Sequence, residues 1–95
     1  TADQIKTRAA AYFGVTVDDL EGPSRSKTLV GARQIAMYLC RELTDLSLPA
    51  IGAQFGNRDH TTVMHADRKI RSQIGESRRL YEQVADLTNK IKTSV

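Results

Sequence analysis

Asp59, His60, Thr61 and Thr62 form an unbroken run of short hydrogen-bonding side chains, and His65, Arg68 and Lys69 continue it at helical spacing. At about 100° per residue, Thr61, His65 and Arg68 share one helical face, flanked by Thr62 and Lys69, while Val63, Ile70 and Ile74 fall opposite with Ala66 beside them. A helix with polar groups at its tip and along one side can read the edges of a base-paired duplex. A carboxylate accepts from the cytosine amino group, and a threonine methyl packs on the thymine methyl. His60 donates or accepts according to its tautomer. Arg58, Lys69 and the two threonine hydroxyls suit phosphate oxygens. Plainer roles stand beside these. Asp59 is a good helix N-cap, and can be cap and base reader at once. Thr61 and Thr62 also serve as ordinary first-turn residues. His60 and His65 are five residues apart, which is wrong for chelation from one helical face, so no metal site is expected. Cys40 and Met64 read as packing residues.

The elements that position this run follow from breakers and apolar spacing. Ser47 and Pro49 mark a helix start, since proline is tolerated in a first turn. The short helix reaches about Phe55, and Gly56-Asn57 turns the chain into the polar-tipped helix. Residues 47–72 therefore read as a helix-turn-helix, whose second helix offers its N-terminal residues to the major groove. The turn is longer than standard: Asn57 and Arg58 follow Gly56, and Val63 comes one place late. Upstream, Ile5, Ala9, Tyr12 and Phe13 make an apolar face that stops at Gly14, giving a connector helix within residues 1–14. Residues 15–28 form a basic loop region, with a short helical turn at 17–20 and then Glu21-Gly-Pro-Ser-Arg-Ser-Lys-Thr28. Arg25, beside Lys27, can enter an A/T-rich minor groove, whose negative potential attracts arginine; the same loop can equally be a solvated connector. Thr28 or a neighbouring serine caps a longer helix with the stripe Leu29, Ala32, Ile35/Ala36, Leu39/Cys40 and Leu43. Gly75 is expected to break the helix after Ile74. A last amphipathic helix within residues 76–95 carries Leu80, Val84, Leu87 and Ile91. No strand-like alternation is present. The expected fold is all-α, a single compact domain over residues 1–95 with about five to six helices.

Composition agrees with a globular domain: 95 residues, 40% hydrophobic and 26% charged. No apolar run is long enough to span a bilayer, and no signal peptide opens the chain. The start at Thr1 rather than methionine points to a domain of a longer protein. One cysteine excludes an internal disulfide and fits a reducing cytoplasm. Net charge is +3, but it is unevenly placed. Residues 1–23 carry two basic against four acidic residues, a net −2. Residues 24–71 carry Arg25, Lys27, Arg33, Arg41, Arg58, Arg68, Lys69 and Arg71 against Glu42, Asp45, Asp59 and Asp67, a net +4. Positive charge thus gathers around the motif, where phosphate attraction requires it.

The segment Gly52-Ala-Gln-Phe-Gly-Asn-Arg-Asp-His-Thr-Thr-Val63 closely resembles the signature of the bacterial DnaA replication-initiator family, and the resemblance extends over nearly the whole chain. Ala32-Arg-Gln-Ile-Ala-Met-Tyr-Leu39, Leu43-Thr44, Leu46-Ser-Leu-Pro49 and His65-Ala-Asp-Arg-Lys-Ile70 are similar to that family's C-terminal domain. The resemblance implies a helical domain that binds short asymmetric boxes of the TTATCCACA type at the replication origin. It implies that Arg25 reads the minor groove and that Asp59, His60 and Thr61 read major-groove base edges, with Thr62 and Ala66 close by. Leu48 and Pro49 match positions that approach thymine methyls or the backbone. Arg33, Gln34, Arg41, Arg58 and Lys69 match positions that contact phosphates or border the box, and Lys27 and Arg68 are grouped with them. The first helix resembles the segment joining this domain to the family's nucleotide-binding module. No G-x-x-x-x-G-K-[ST] loop occurs in the chain, so ATP chemistry is not expected of these residues. They are expected to recognise duplex DNA and catalyse nothing, with no cofactor.

The expected partner is duplex DNA, one box per monomer, in the cytoplasm at the nucleoid. Two rivals use the same features differently. A helix-turn-helix transcriptional regulator would dimerise on a palindrome. A helical docking module for an acidic protein or anionic phospholipid would use the basic surface and the amphipathic first and last helices.

Overall fold

A computed structural model describes residues 1–93; residues 94 and 95, the end of the expected 76–95 helical segment, lie outside the described residues. Six helices follow in chain order, and no strand occurs among the described residues: α1 Ala2–Phe13, α2 Val17–Glu21, α3 Lys27–Leu43, α4 Leu48–Gln54, α5 His60–Glu76 and α6 Arg78–Lys92. Each begins at a side-chain cap. Ser26 Oγ accepts from Leu29 N, Ser47 Oγ from Ala50 N and Ser77 Oγ from Leu80 N, while Thr1 and Thr16 form reciprocal capping boxes with Gln4 and Asp19. The cap of α3 is therefore Ser26, one of the neighbouring serines, rather than Thr28.

The expected apolar stripes meet in one core. α3 is packed by α1, α2, α4 and α5, and α6 closes over α1 and α5. Ile5, Leu20, Met37, Leu39, Cys40, Ile51, Phe55, Val63 and Leu87 are the largest fully buried side chains. Burial in this apolar setting pushes the Cys40 thiol up to about 12, so the lone cysteine stays protonated and packs.

Two boundaries differ from the sequence reading. Gly75 does not end α5, which runs through Glu76. A glycine lowers helix propensity by about 1 kcal/mol, and here the helix absorbs that cost. The break falls at Ser77, which is C-cap of α5 and N-cap of α6 together. The short helical turn expected at 17–20 is present as α2, Val17–Glu21, but α3 already starts at Lys27, inside the expected loop, so the loop proper is shorter than the one read from Glu21 to Thr28.

The helix-turn-helix consists of α4, the connection Phe55 to Asp59, and α5. Both Gly56 (φ 69°) and Asn57 (φ 57°) are left-handed, a conformation that glycine and asparagine tolerate best. Two left-handed residues in succession reverse the chain while Arg58 N returns a hydrogen bond of 3.0 Å to Gly52 O. That bond lets a turn of extra length stay compact.

Candidate nucleic-acid interface

α5 starts at its cap. Asp59 Oδ1 accepts from Thr61 N at 2.9 Å and from Thr61 Oγ1 at 3.0 Å, and His60 Nδ1 lies 3.0 Å from it. All three contacts fall on the same oxygen. Oδ2 has no hydrogen bond among the described residues, so the carboxylate caps the helix with one oxygen and presents the other. The Thr61 bonds, backbone first and hydroxyl second, hold the Asp59 carboxyl below its usual range. Such a group contributes its capping above the ordinary carboxylate pKa of about 4 and loses it as pH falls through the lowered folded value. With its hydroxyl hydrogen committed to Asp59, Thr61 keeps its methyl and the acceptor side of the hydroxyl uncommitted. Asp59, His60, Thr61, Thr62, His65, Arg68 and Lys69 are all exposed, as periodicity anticipated, and Val63, Ala66 and Ile70 are buried.

Beside α5, adjoining clefts collect most of the other candidates. One joins Arg25, Arg33, Arg58 and Thr62. A second joins Arg25, Lys27, Gln34 and Lys69. A third, between α3 and α5, is lined by Gln34, Thr62, His65 and Lys69. The loop after α2, one side of α3 and the outer face of α5 therefore form a continuous surface. Arg25, Lys27, Arg41, Arg68 and Lys69 are exposed and make no hydrogen bond or ion pair among the described residues. Five cations stand ready for an external anion. Arg41 and Arg68 do not line these clefts, and neither do Leu48, half-buried, or Pro49, exposed in the first turn of α4. Ala66 is 3% exposed and forms only part of the floor of the third cleft.

Arg33 and Arg58 are differently placed from the other cations. Arg33 is 6% exposed. It donates from Nε to Leu20 O (2.7 Å), from Nη1 to Ser24 O (3.1 Å), and from Nη2 to Asp19 O (3.0 Å) and Gly22 O (3.1 Å). Burial, and then the neighbouring Arg58 charge, draw its guanidinium below the ordinary arginine value. Arg58 donates from Nη1 to Phe55 O at 2.7 Å and Glu21 O at 3.3 Å, and from Nη2 to Gly22 O.

Sequence reasoning missed Lys6, which is 4% exposed. Its ammonium meets Glu21 Oε2 at 2.6 Å, Gln54 O at 2.9 Å and Gln54 Oε1 at 3.3 Å. The signal was available: Lys6 lies four residues after Ala2 and four before Ala10, inside an apolar stripe.

The caps, the left-handed turn and the exposed polar tip of α5 define a helix-turn-helix domain with a basic flank. The chain belongs to the bacterial DnaA family: the model described as "Bacterial dnaA protein helix-turn-helix" matches residues 2–70. It is similar to the chromosomal replication initiator protein DnaA of Cutibacterium acnes, with 64% identity over 92 residues, 97% of this chain and 18% of that protein. The DnaA protein of Clavibacter sepedonicus is 62% identical over 88 residues, covering 93% of this chain and 18% of its own length. That of Corynebacterium jeikeium is 58% identical over 84 residues, covering 88% and 14%. The chain thus spans less than a fifth of the curated relatives it matches. No helix among the described residues is long and apolar enough to cross a membrane.

Proposed function

We propose that this chain binds duplex DNA sequence-specifically, as a monomer on one short asymmetric box of the TTATCCACA type. Asp59, His60 and Thr61 enter the major groove, with Thr62 beside them. Arg25 enters the adjacent minor groove. Lys69, Lys27, Gln34, Arg41 and Arg68 meet phosphates or border the box, and Leu48 and Pro49 approach thymine methyls or backbone. Binding carries an initiator ATPase, located on the remainder of a longer protein, to the replication origin in the cytoplasm. These residues hold the DNA and perform no catalysis. The observation that carries the reading is the convergence of Arg25, Thr62, His65 and Lys69 on adjoining clefts, next to a helix tip whose Asp59 keeps one carboxylate oxygen unbonded. The relatives' shared name as replication initiators supports the biological setting.

A competition assay with one box, one scrambled duplex and a salt titration tests it. His60→Ala or Thr61→Ala is expected to cost roughly 1–3 kcal/mol on the box and less on scrambled DNA. Lys69→Ala should weaken both duplexes alike and flatten the salt slope by about one unit. Equal losses on both duplexes for His60→Ala would remove the base-reading role. Dimeric binding to a palindrome would favour a transcriptional regulator instead, and the absence of any duplex preference would favour a docking module.

A further inference from the structure

We propose that Arg33 and Arg58 are positioning residues that hold the loop carrying Arg25 in fixed register with α5, rather than contacts to phosphate. The proposal rests on the duplex-reading function above. α2 is only five residues long, and its end is followed by Pro23, which has no N–H to return to the preceding turn. Its last carbonyls are therefore short of intrahelical donors. The two guanidinium groups supply them. Arg33 spends four N–H···O bonds on Asp19, Leu20, Gly22 and Ser24, out of the five donors a guanidinium has. Swinging it to a phosphate would give up all four bonds, among them the buried one to Leu20 O, which costs more than one charged contact returns.

Arg58 supplies the connection to the motif. One of its nitrogens bonds Phe55 O, at the start of the helix-turn-helix turn, and Glu21 O, at the end of α2. The two segments are pressed together there, since a Cβ on Gly56 would fall 2.2 Å from Glu21 O. Lys6 grips the Glu21 carboxylate from α1 and the Gln54 carbonyl from α4. Three cations from three elements thus converge on residues 19–24, at the electronegative end of α2. Arg25 follows directly, and it is exposed and unbonded among the described residues. A side chain with this much freedom finds a minor groove only if its backbone is fixed relative to the α5 tip. Arg33 and Arg58 fix it.

A double-mutant cycle on the 95-residue chain separates the two roles. Arg33→Lys keeps the charge but cannot reproduce the fork. A direct phosphate contact tolerates lysine as a point charge, whereas a positioning residue does not. Box affinity is expected to fall about tenfold in Arg33→Lys, because the loop that carries Arg25 loses its register. Arg25→Ala, costing about tenfold in the parent chain, should cost less than about twofold in the Arg33→Lys background. Exchange of the hydrogen-bonded amides of Leu20 and Gly22, which donate to Thr16 O and Asp19 O, should quicken about tenfold in the free protein while α6 keeps its protection. Near-parental affinity for Arg33→Lys, or an Arg25→Ala cost that is the same in both backgrounds, would overturn the proposal. Should Arg33→Lys fail to fold by circular dichroism, Arg58→Lys at a half-buried position carries the same three readouts. A parental chain with no preference for the box would instead refute duplex reading itself, before any substitution is made.

Discussion

Gly52→Ala is expected to destabilise the domain by about 3 kcal/mol, the upper end of the usual range for core overpacking. At about 5 °C per kcal/mol for a domain of this size, the melting temperature should fall by about 15 °C. The usual sign of the substitution is opposite: alanine in a helix is favoured over glycine by about 0.5–1 kcal/mol. The close approach of the turn reverses it. A Cβ on Gly52 would sit 2.1 Å from Arg58 O and 3.1 Å from its carbonyl carbon, both backbone atoms with no rotamer to relax into. Gly52 O meanwhile accepts from Phe55 N and Arg58 N, each at 3.0 Å. Forcing α4 from Arg58 stretches the bond that closes the turn and tilts the start of α5, so box binding should weaken along with stability. Gly75→Ala is the control, because nothing lies within 4 Å of its Cβ position. Thermal unfolding by circular dichroism decides: a Gly52→Ala melting temperature within 2 °C or so of the parent, as an ordinary surface substitution gives, would show that the turn yields cheaply.

That contact also shows where the sequence stops being informative. Periodicity found the α3 stripe, the buried side of α5 and the exposed polar tip, because burial on a helix depends on local spacing. Ser47 and Asp59 were legible as caps for the same reason: a cap acts within three residues. Gly52 could be flagged only as a glycine inside a short apolar helix, and what approaches it is set by Arg58 after the chain has reversed. Charge misled in a similar way. Of the eight cations in residues 24–71, Arg33 and Arg58 serve backbone carbonyls. Arg71 is bound to Glu42 at 2.6 Å and Asp67 at 3.1 Å and lies over the Tyr38 ring. The count of cations therefore exceeds the number whose donors are free to meet an anion, and the strength of the surface lies in the position of the five unbonded cations. Which arginine is free and which is committed depends on carbonyls left over at the end of α2, a feature with no sequence period.

The second large effect lies at the junction of core and turn. Phe55→Ala is expected to cost about 3–5 kcal/mol, the range for truncating a buried aromatic, against a total of about 5–15 kcal/mol for a typical domain. Phe55 is 0% exposed and the bulkiest fully buried side chain. It also ends α4, with its N–H on Gly52 O and its carbonyl accepting from Arg58 Nη1 at 2.7 Å. The Lys6 ammonium sits 5.8 Å from its ring centroid. Removing the ring leaves a cavity beneath that ammonium, while the ammonium keeps its bonds to Glu21 and Gln54, so the walls cannot readily close. Phe55→Leu fills most of the space and should lose much less. Denaturant unfolding of the two variants measures the difference. A loss below about 1 kcal/mol for Phe55→Ala, far under the usual range, would mean that the site collapses freely and that the turn is not anchored through this ring. With the expected loss, the same ring that fills the core also sets where the turn begins, so the aim of the α5 tip is inherited from core packing.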